Sequence, residues 1–599
     1  MGSTARKPPP RRQPPRAPRR RARLGNPARR LRAGLLIMSL VLTLFVGRLL
    51  QVQGFEAAGY AAVAQNERLR TIAIPAVRGM ITDRNGAVLA RSVEARTVTA
   101  DPTLVADPAS YAHLLAPKLG QDEETLRRKL ADRPRRYVVL ARDVDPVLWR
   151  SVTEMVDPGT GKTLAGVFSE PQSKRVYPSD SLAANVLGFL GQDGSALGGI
   201  EREFDQILSG KPGKTTYERS SRGARIATAG GAQVAPVPGQ NLQLTIDRDL
   251  QWYAQNAIAA KVREVRAVSG TVVIQDVRTG EILAMATAPT FDPNDPGKGD
   301  DANRGNRALS EIYEPGSIAK AMTMAALLEE GAATPATKVK VPGALRRAGH
   351  VLHDDVGHGL WKLTLAGVLA RSSNIGTVLA SDQISSRTLY DYLKSFGIAT
   401  QTGLQFPGES RGILTDPKDW PGTTRYTVPF GQGFAVNSVQ IAGAYQAIAN
   451  GGVRIPPTLV RSWTDGDGNQ HFPAGAGPTR VVSAKTAAEV TKMLEQVVQP
   501  GGTAPKVKVP GHRIAGKTGT AQFADPKCGC YRGYTASFAG FAPAEKPELV
   551  ISVTLQRPED GHFGGVLAGP VFADTMAFAL QSKGIRPAHS RPAKLPTTW

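Results

Sequence analysis

Three short strings, in chain order, carry residue types suited to acyl transfer. In EPGSIAK (Glu314 to Lys320), Pro315 and Gly316 break the preceding segment and the apolar run AMTMAALLEEG follows, so Ser317 is expected in a first helical turn. Positions i and i+3 share a helix face, which sets the Ser317 hydroxyl beside the Lys320 amine. At a helix N-terminus the peptide dipoles and desolvation both disfavour an ammonium ion, and a neutral amine beside a serine is a base beside a nucleophile. VLARSSNIGTVLA puts Ser372, Ser373 and Asn374 at the beginning of a second apolar helix, and HRIAGKTGTAQF places Lys517, Thr518, Gly519 and Thr520 in a segment that alternates like a strand. An isolated S-x-x-K occurs by chance on many helices; S-x-x-K, S-x-N and K-T-G in this order do not.

Each residue type has a role that acyl transfer requires. Ser317 would attack a carbonyl with Lys320 taking its proton, Ser372 would relay that proton to the departing amine, and Asn374 would hold a substrate amide while hydrogen-bonding Lys320. Gly519, without a side chain, would let a substrate backbone lie against the strand, while Lys517, Thr518 and Thr520 meet a terminal carboxylate. The backbone amides of Ser317 and Thr520 would form an oxyanion hole. The same region contains a competing motif: GHRIAGKT (Gly511 to Thr518) fits G-x-x-x-x-G-K-T. A phosphate-binding loop needs a helix directly after the lysine, and here both flanks look extended. The Gly-rich turn at Phe430 to Gly433 stands alone and is weak evidence for a nucleotide.

These strings need a scaffold that joins distant segments. Strands are expected in GTVVIQDVRTGEILAMATAP before the helical middle of the chain, and again in RIAGKTGTAQF, YTASFAGFAPA and LVISVTLQRP after it. One sheet assembled from distant pieces, with a helical subdomain inserted, is the α+β architecture that fits. At 599 residues the chain is too long for one core. Its net charge of +23 is partly local: the first 32 residues are rich in Arg and Pro, lack acidic residues and are expected to be a disordered tail. Ala33 to Gln53 is apolar and close to bilayer-spanning length, with Arg48 able to snorkel. Cations before the span keep that side cytoplasmic, and the remainder is exported. An uncleaved anchor is preferred to a signal peptide, because Ala62-Val63-Ala64 lies far past the apolar stretch. A topology signal accounts for the arginines without nucleic acid.

Cys528 and Cys530 are the only cysteines. They lack the partners a zinc site needs, and in an oxidising compartment either bond to each other or stay reduced. HVLHDDVGH (His350, His353, Asp354, Asp355, His358) reads as a polar turn between strands, since no H-E-x-x-H helix carries the set.

The triple S-x-x-K, S-x-N, K-T-G resembles the signature of penicillin-binding proteins and class A β-lactamases. RGMITDRNGAVLA, KRVYPSDSLAANVLGF and GGIEREFDQILSG resemble the pedestal motifs of class B penicillin-binding proteins, and TIDRDLQ, TGEILAMATAPTFDPN and NRALSEIYEPGS extend the likeness, so that it covers about Gly47 to Ile585. The resemblance implies a tail at 1–32, a membrane anchor at 33–53, a non-catalytic pedestal at 54–235, a transpeptidase head with a five-stranded sheet at 236–585, and a short C-terminal tail at 586–599. It implies a donor stem peptide ending in D-Ala-D-Ala, inhibition by β-lactams, no metal or organic cofactor, and a multi-span glycan polymerase and other division proteins as partners. GRLLQVQ, the pedestal strings and the head size look more like the septal, FtsI-like branch than the rod-elongation branch. Ile318-Ala319 is smaller than its counterpart in many relatives. The Glu followed shortly by Leu-Asn that a class A β-lactamase uses for deacylation is not found. A chiefly scaffolding protein with an incidental head is the rival outside the enzyme class.

Overall fold

The computed structural model describes residues 27–56, 59–60, 69–218, 233–473, 475–525, 528–588 and 590–599. Helix α1 (Pro27–Leu50) runs into a further helical turn that ends at Phe55, and the whole is long and apolar enough to cross a membrane. Its described part takes in residues 27–32, ahead of the expected anchor. The expected tail is therefore shortened, because Arg29, Arg30 and Arg32 are helical. Residues 1–26 and Ala62-Val63-Ala64 lie outside the described residues. Leu69–Ile74, Gly213–Glu218 and Gln233–Val234 form a small three-stranded sheet.

In the pedestal, β1 (Ile81–Thr82) and β2 (Val88–Ala100) form the expected hairpin, with Asp83 Oδ1 accepting from the Asn85 and Ala87 amides. Strands β3 (Val138–Val144) and β4 (Val167–Val176) both pair with β2. Strand β5 (Asn241–Leu244) runs parallel to β1. The three pedestal strings meet at Glu201, which is fully buried. Arg78 Nε donates to Glu201 Oε2 at 2.6 Å, Arg175 Nε to Oε1 at 2.7 Å, and the Tyr177 hydroxyl to Oε1 at 3.3 Å. Arg78 also donates to Asp205 at 2.5 Å.

The head follows from α2 (Arg248–Glu264), which Asp247 caps at both the Asp249 and Leu250 amides. Strands β6 (Ser269–Asp276) and β7 (Ile282–Ala288) form a buried antiparallel pair. The inserted helical region includes α3 (Lys320–Glu329), α4 (Leu365–Ala370), α5 (Asn374–Ser381) and α6 (Ser438–Ala449). Strand β8 (Val460–Thr464) joins the pedestal sheet through β5. Strands β9 (Ala515–Asp525), β10 (Cys530–Ala542) and β11 (Leu549–Gln556) complete a five-stranded antiparallel sheet in the order β7-β6-β11-β10-β9, and α7 (Gly564–Ser582) closes the domain. One face packs Leu250, Ala254 and Ile258 of α2 with Phe572 and Met576 of α7. The other receives α6, every residue of which is buried, and α3. A helix apolar on all sides is stable only inside a core, and this accounts for the composition of α3 and α6.

Residues 590–599 do not form a free tail. Ala593 O accepts from Gln496, the Pro596 carbonyl accepts from Thr364 Oγ1, and the Trp599 indole donates to Leu363 O. The segment is thereby strapped to the start of α4.

Replacing Glu201 with Gln removes the one buried carboxylate that two arginines share. Breaking a buried ion pair by removing one partner costs about 3–5 kcal/mol, so Glu201→Gln should markedly lower the denaturation midpoint of the full chain. An unchanged midpoint would mean that the cluster does not hold the pedestal together.

Candidate active site

The turn that carries Ser317 is a 3-10 segment, Gly316–Ala319, feeding directly into α3. Gly316 has φ +54°, and a Cβ there would come within 3.1 Å of Ala521 on β9. The turn therefore requires glycine both for its conformation and for the approach of β9. Gly316 N donates to Gly431 O, and Glu314 Oε1 accepts from Gly433 N at 2.9 Å and from the Tyr531 hydroxyl at 3.1 Å. The Phe430 to Gly433 turn is thus a collar for the serine turn. Burial pushes the Glu314 carboxyl up. Tyr445 Oη donates to Ile318 O at 2.9 Å, tying the same turn to α6.

Lys320 has no solvent exposure. Its Nζ donates to Ser372 O at 2.6 Å, Asn374 Oδ1 at 2.7 Å and Ser372 Oγ at 3.3 Å. These three acceptors, and not Ser317, take its hydrogen bonds. A buried amine is drawn to the strongest acceptors within reach, and Ser372 and Asn374 supply a carbonyl, an amide oxygen and a hydroxyl.

Ser372 and Ser373 lie between two helices, not inside one. Ser372 has φ +59°; its amide donates to Leu369 O and that of Ser373 to Val368 O. These two bonds form the Schellman ending of α4, in which the left-handed position is usually glycine. A serine there costs roughly 1–2 kcal/mol. The reversal aims both the carbonyl and the hydroxyl of Ser372 at Lys320.

Lys517 enters from β9, also without exposure, and donates to Ser372 Oγ at 2.8 Å. The Ser372 hydroxyl is therefore shared by two amines. Burial pushes Lys320 down to about 8, opposed by Asp355 and Asp354. Burial and then the Lys320 cation hold Lys517 well below the ordinary lysine range, with Asp355 opposing. Thr518 Oγ1 pairs with Thr503 Oγ1 at 2.8 Å, and Thr520 Oγ1 accepts from Gly564 N at 3.2 Å. Ser317, Lys320, Ser372, Asn374, Lys517, Thr518, Gly519 and Thr520 are thus brought together by α3, the α4–α5 junction and β9. Strand β9 continues to Asp525 with no helix after Lys517, so Gly511 to Thr518 is not a phosphate-binding loop.

The chain matches the penicillin-binding protein transpeptidase domain over residues 270–577 and the penicillin-binding protein dimerisation domain over residues 73–244. It is 35% identical to penicillin-binding protein PbpB of Mycobacterium tuberculosis, covering 93% of this chain and 85% of that one. It belongs to the class B penicillin-binding proteins. Identity to peptidoglycan D,D-transpeptidase FtsI of Escherichia coli is 31%, over 92% of this chain and 91% of that protein. The crystal structure of penicillin-binding protein 3 from Mycobacterium tuberculosis complexed with aztreonam superposes with a TM-score of 0.69 at 32% identity, covering 88% of this chain and 100% of that one.

Two features of this class B head add to the reading of its sequence. A Cβ at Gly519 would meet the protein itself, standing 2.2 Å from Ser537 Oγ, 3.0 Å from Pro315 O and 3.1 Å from Ile318 Cγ2. Glycine is needed there because β9 packs on its neighbour strand and on the serine turn. In HVLHDDVGH, His350–Leu352 is a strand and the residues after it form a polar turn that also walls the site. Asn374 Nδ2 donates to His353 O and Asp355 Oδ1, and Asp354 accepts from Ser373 Oγ and Ile375 N. Its density of polar groups was visible in the sequence; its target was not, because the loop reaches the site only through the fold. Cys528 and Cys530 are bonded to each other near the end of the β9–β10 hairpin.

Gly519→Ala should lower stability by about 1–3 kcal/mol through overpacking. Adding Ser537→Ala should recover part of that loss by removing the nearest clashing atom. Thermal denaturation of the single and double variants checks both, and a Gly519→Ala protein as stable as wild type would contradict the packing account.

Proposed function

We propose that this chain is a serine peptidoglycan D,D-transpeptidase acting in septal wall synthesis, anchored by α1 with its head outside the cytoplasm. The observation that carries the mechanism is the position of Ser372 Oγ between Lys320 Nζ and Lys517 Nζ, beside the turn bearing Ser317. Ser317 Oγ attacks the carbonyl carbon of the penultimate D-alanine of a donor stem, and its proton passes to the neutral Lys320 amine. The developing oxyanion accepts from the backbone amides of Ser317 and Thr520, which belong to the two segments packed together at Gly316; each donor contributes about 3 kcal/mol. The peptide C–N bond breaks, Ser372 Oγ passes a proton from Lys320 to the leaving D-alanine amine, and an ester on Ser317 remains. An amine of a neighbouring stem then displaces Ser317 and forms the cross-link.

Asn374 holds the donor amide, and Lys517, Thr518 and Thr520 receive its terminal carboxylate. A β-lactam mimics the same terminus and acylates Ser317. The septal assignment is supported by the likeness of GRLLQVQ, the pedestal strings and the head to the FtsI-like branch, and by a relative that bears that name. Its natural partner is a multi-span glycan polymerase alongside α1, together with other division proteins.

Fluorescent penicillin should label the wild type and not Ser317→Ala, and mass spectrometry should place the adduct on Ser317; an adduct elsewhere would refute the mechanism. A fluorescent fusion should gather at midcell, whereas side-wall staining would favour the elongation branch. A Ser317→Ala protein that fully supports growth would favour the scaffold reading. Because a base must be unprotonated to take the Ser317 proton, acylation should slow about tenfold per pH unit below the Lys320 pKa of about 8 and level off above it. A flat profile between about pH 6 and 9 would remove Lys320 from the role of base.

A further inference from the structure

The middle residue of the S-S-N string has no part in the chemistry above, yet its side chain is committed. Ser373 Oγ accepts from Gly376 N at 2.8 Å, capping α5, and donates to Asp354 Oδ2 at 2.6 Å. The other carboxylate oxygen of Asp354 accepts from Ile375 N at 2.9 Å. One side chain from a separate loop thus grips the residues immediately before and after Asn374. Asp354 is held in turn: His358 Nε2 lies 2.9 Å from Asp354 Oδ2, and His358 Nδ1 lies 2.5 Å from Gly359 O. Both side chains are only 4% exposed. The His358 ring stacks on Trp361 with centroids 3.5 Å apart and planes 7° from parallel, and the Arg371 guanidinium covers Trp361 at 4.9 Å.

This stack closes a ring around Ser372. Arg371 precedes it and is held through Trp361; Ser373 and Ile375 follow it and are held through Asp354. A serine at φ +59° returns to a cheaper backbone conformation unless its flanks are fixed. If it did so, its carbonyl and hydroxyl would no longer be aimed at Lys320.

We propose that Asp354 and His358 are a positioning pair that clamps the Ser372–Asn374 turn so that it meets Lys320 and Lys517 in register. Neither residue touches the reacting atoms. The role rests on the acylation chemistry assigned above to Ser317. The negative charge of Asp354 also faces the Lys320 amine, together with that of Asp355.

The test uses the full-length protein and a fluorescent penicillin, separating the maximal acylation rate from the half-saturating concentration. In Asp354→Asn an amide nitrogen replaces one acceptor oxygen, so the three donors cannot all be served. The maximal rate should fall at least about tenfold, as small misplacements of catalytic groups do, with half-saturation little changed. His358→Gln keeps a donor for Asp354 and should retain most of the rate, whereas His358→Phe keeps the stacking on Trp361 but no donor and should lose it. Equal rates for the Gln and Phe variants would show that ring packing alone matters and overturn the proposal, as would wild-type acylation by Asp354→Asn. Should Asp354→Asn fail to fold, the His358 pair decides. Hydrogen exchange at the Ile375 and Gly376 amides gives a readout independent of chemistry: it should accelerate in His358→Phe relative to His358→Gln, and equal exchange overturns the clamp. A wild type unlabelled at Ser317 would refute the acylation reading while leaving that exchange comparison to judge the clamp.

Discussion

Two lysine amines, each without solvent exposure, share one serine hydroxyl. Two adjacent cations in a buried site would repel and remain poorly solvated, so desolvation lowers the proton affinity of both. Such amines remain in a folded protein only where oxygen acceptors compensate for the lost water. The carbonyl of Ser372 and the amide oxygen of Asn374 do this for Lys320, and the carbonyl of Thr518 helps with Lys517. From this requirement follows the shape of the α4–α5 junction. A regular helix would fold the Ser372 carbonyl into its own ladder; the left-handed turn frees it to accept from Lys320.

The architecture brings these groups together from far apart in the chain. Lys320 begins a helix in the buried layer on one face of the sheet, Ser372 sits between two short helices, and Lys517 lies on β9 at the sheet edge. A strand at an edge has one side free of a neighbouring strand. The inner strands β6, β11 and β10 are covered on both faces, which keeps β9 rigid against the serine turn. Close approach then depends on small residues, as the surroundings of Gly316 and Gly519 show. The cross-link between Glu314, Gly433 and Tyr531 holds the turn from its other side.

The pedestal solves a different problem with similar means. Ile81, Leu89, Tyr177, Val186, Ile200 and Leu208 of its three motif strings belong to the large hydrophobic cluster that also includes head residues, and a polar junction lies among them at Glu201. A fully buried glutamate between two arginines is a costly arrangement that needs accurate geometry. It therefore ties together segments that are distant in sequence in only one register, with Arg78, Arg175 and Glu201 each drawn from a different string.

The chemical groups and the class of scaffold are legible in the order of residues alone. Ser317, Lys320, Ser372, Asn374 and Lys517 were legible from type, spacing and order, and the strand-like apolar runs around Ile274, Phe538 and Val553 marked the sheet. Local signals suffice for such features, because helix and strand periods are properties of neighbouring residues. Tertiary structure decided what each group faces. It gave the Lys320 amine Ser372 and Asn374 as hydrogen-bond partners, turned the missing side chain of Gly519 toward Ser537, and brought Asp354 and His358 against Ser373. It also strapped residues 590–599 onto the start of α4. These contacts join segments that sequence periodicity treats as independent, and the burial that makes them energetically decisive exists only once the core has formed.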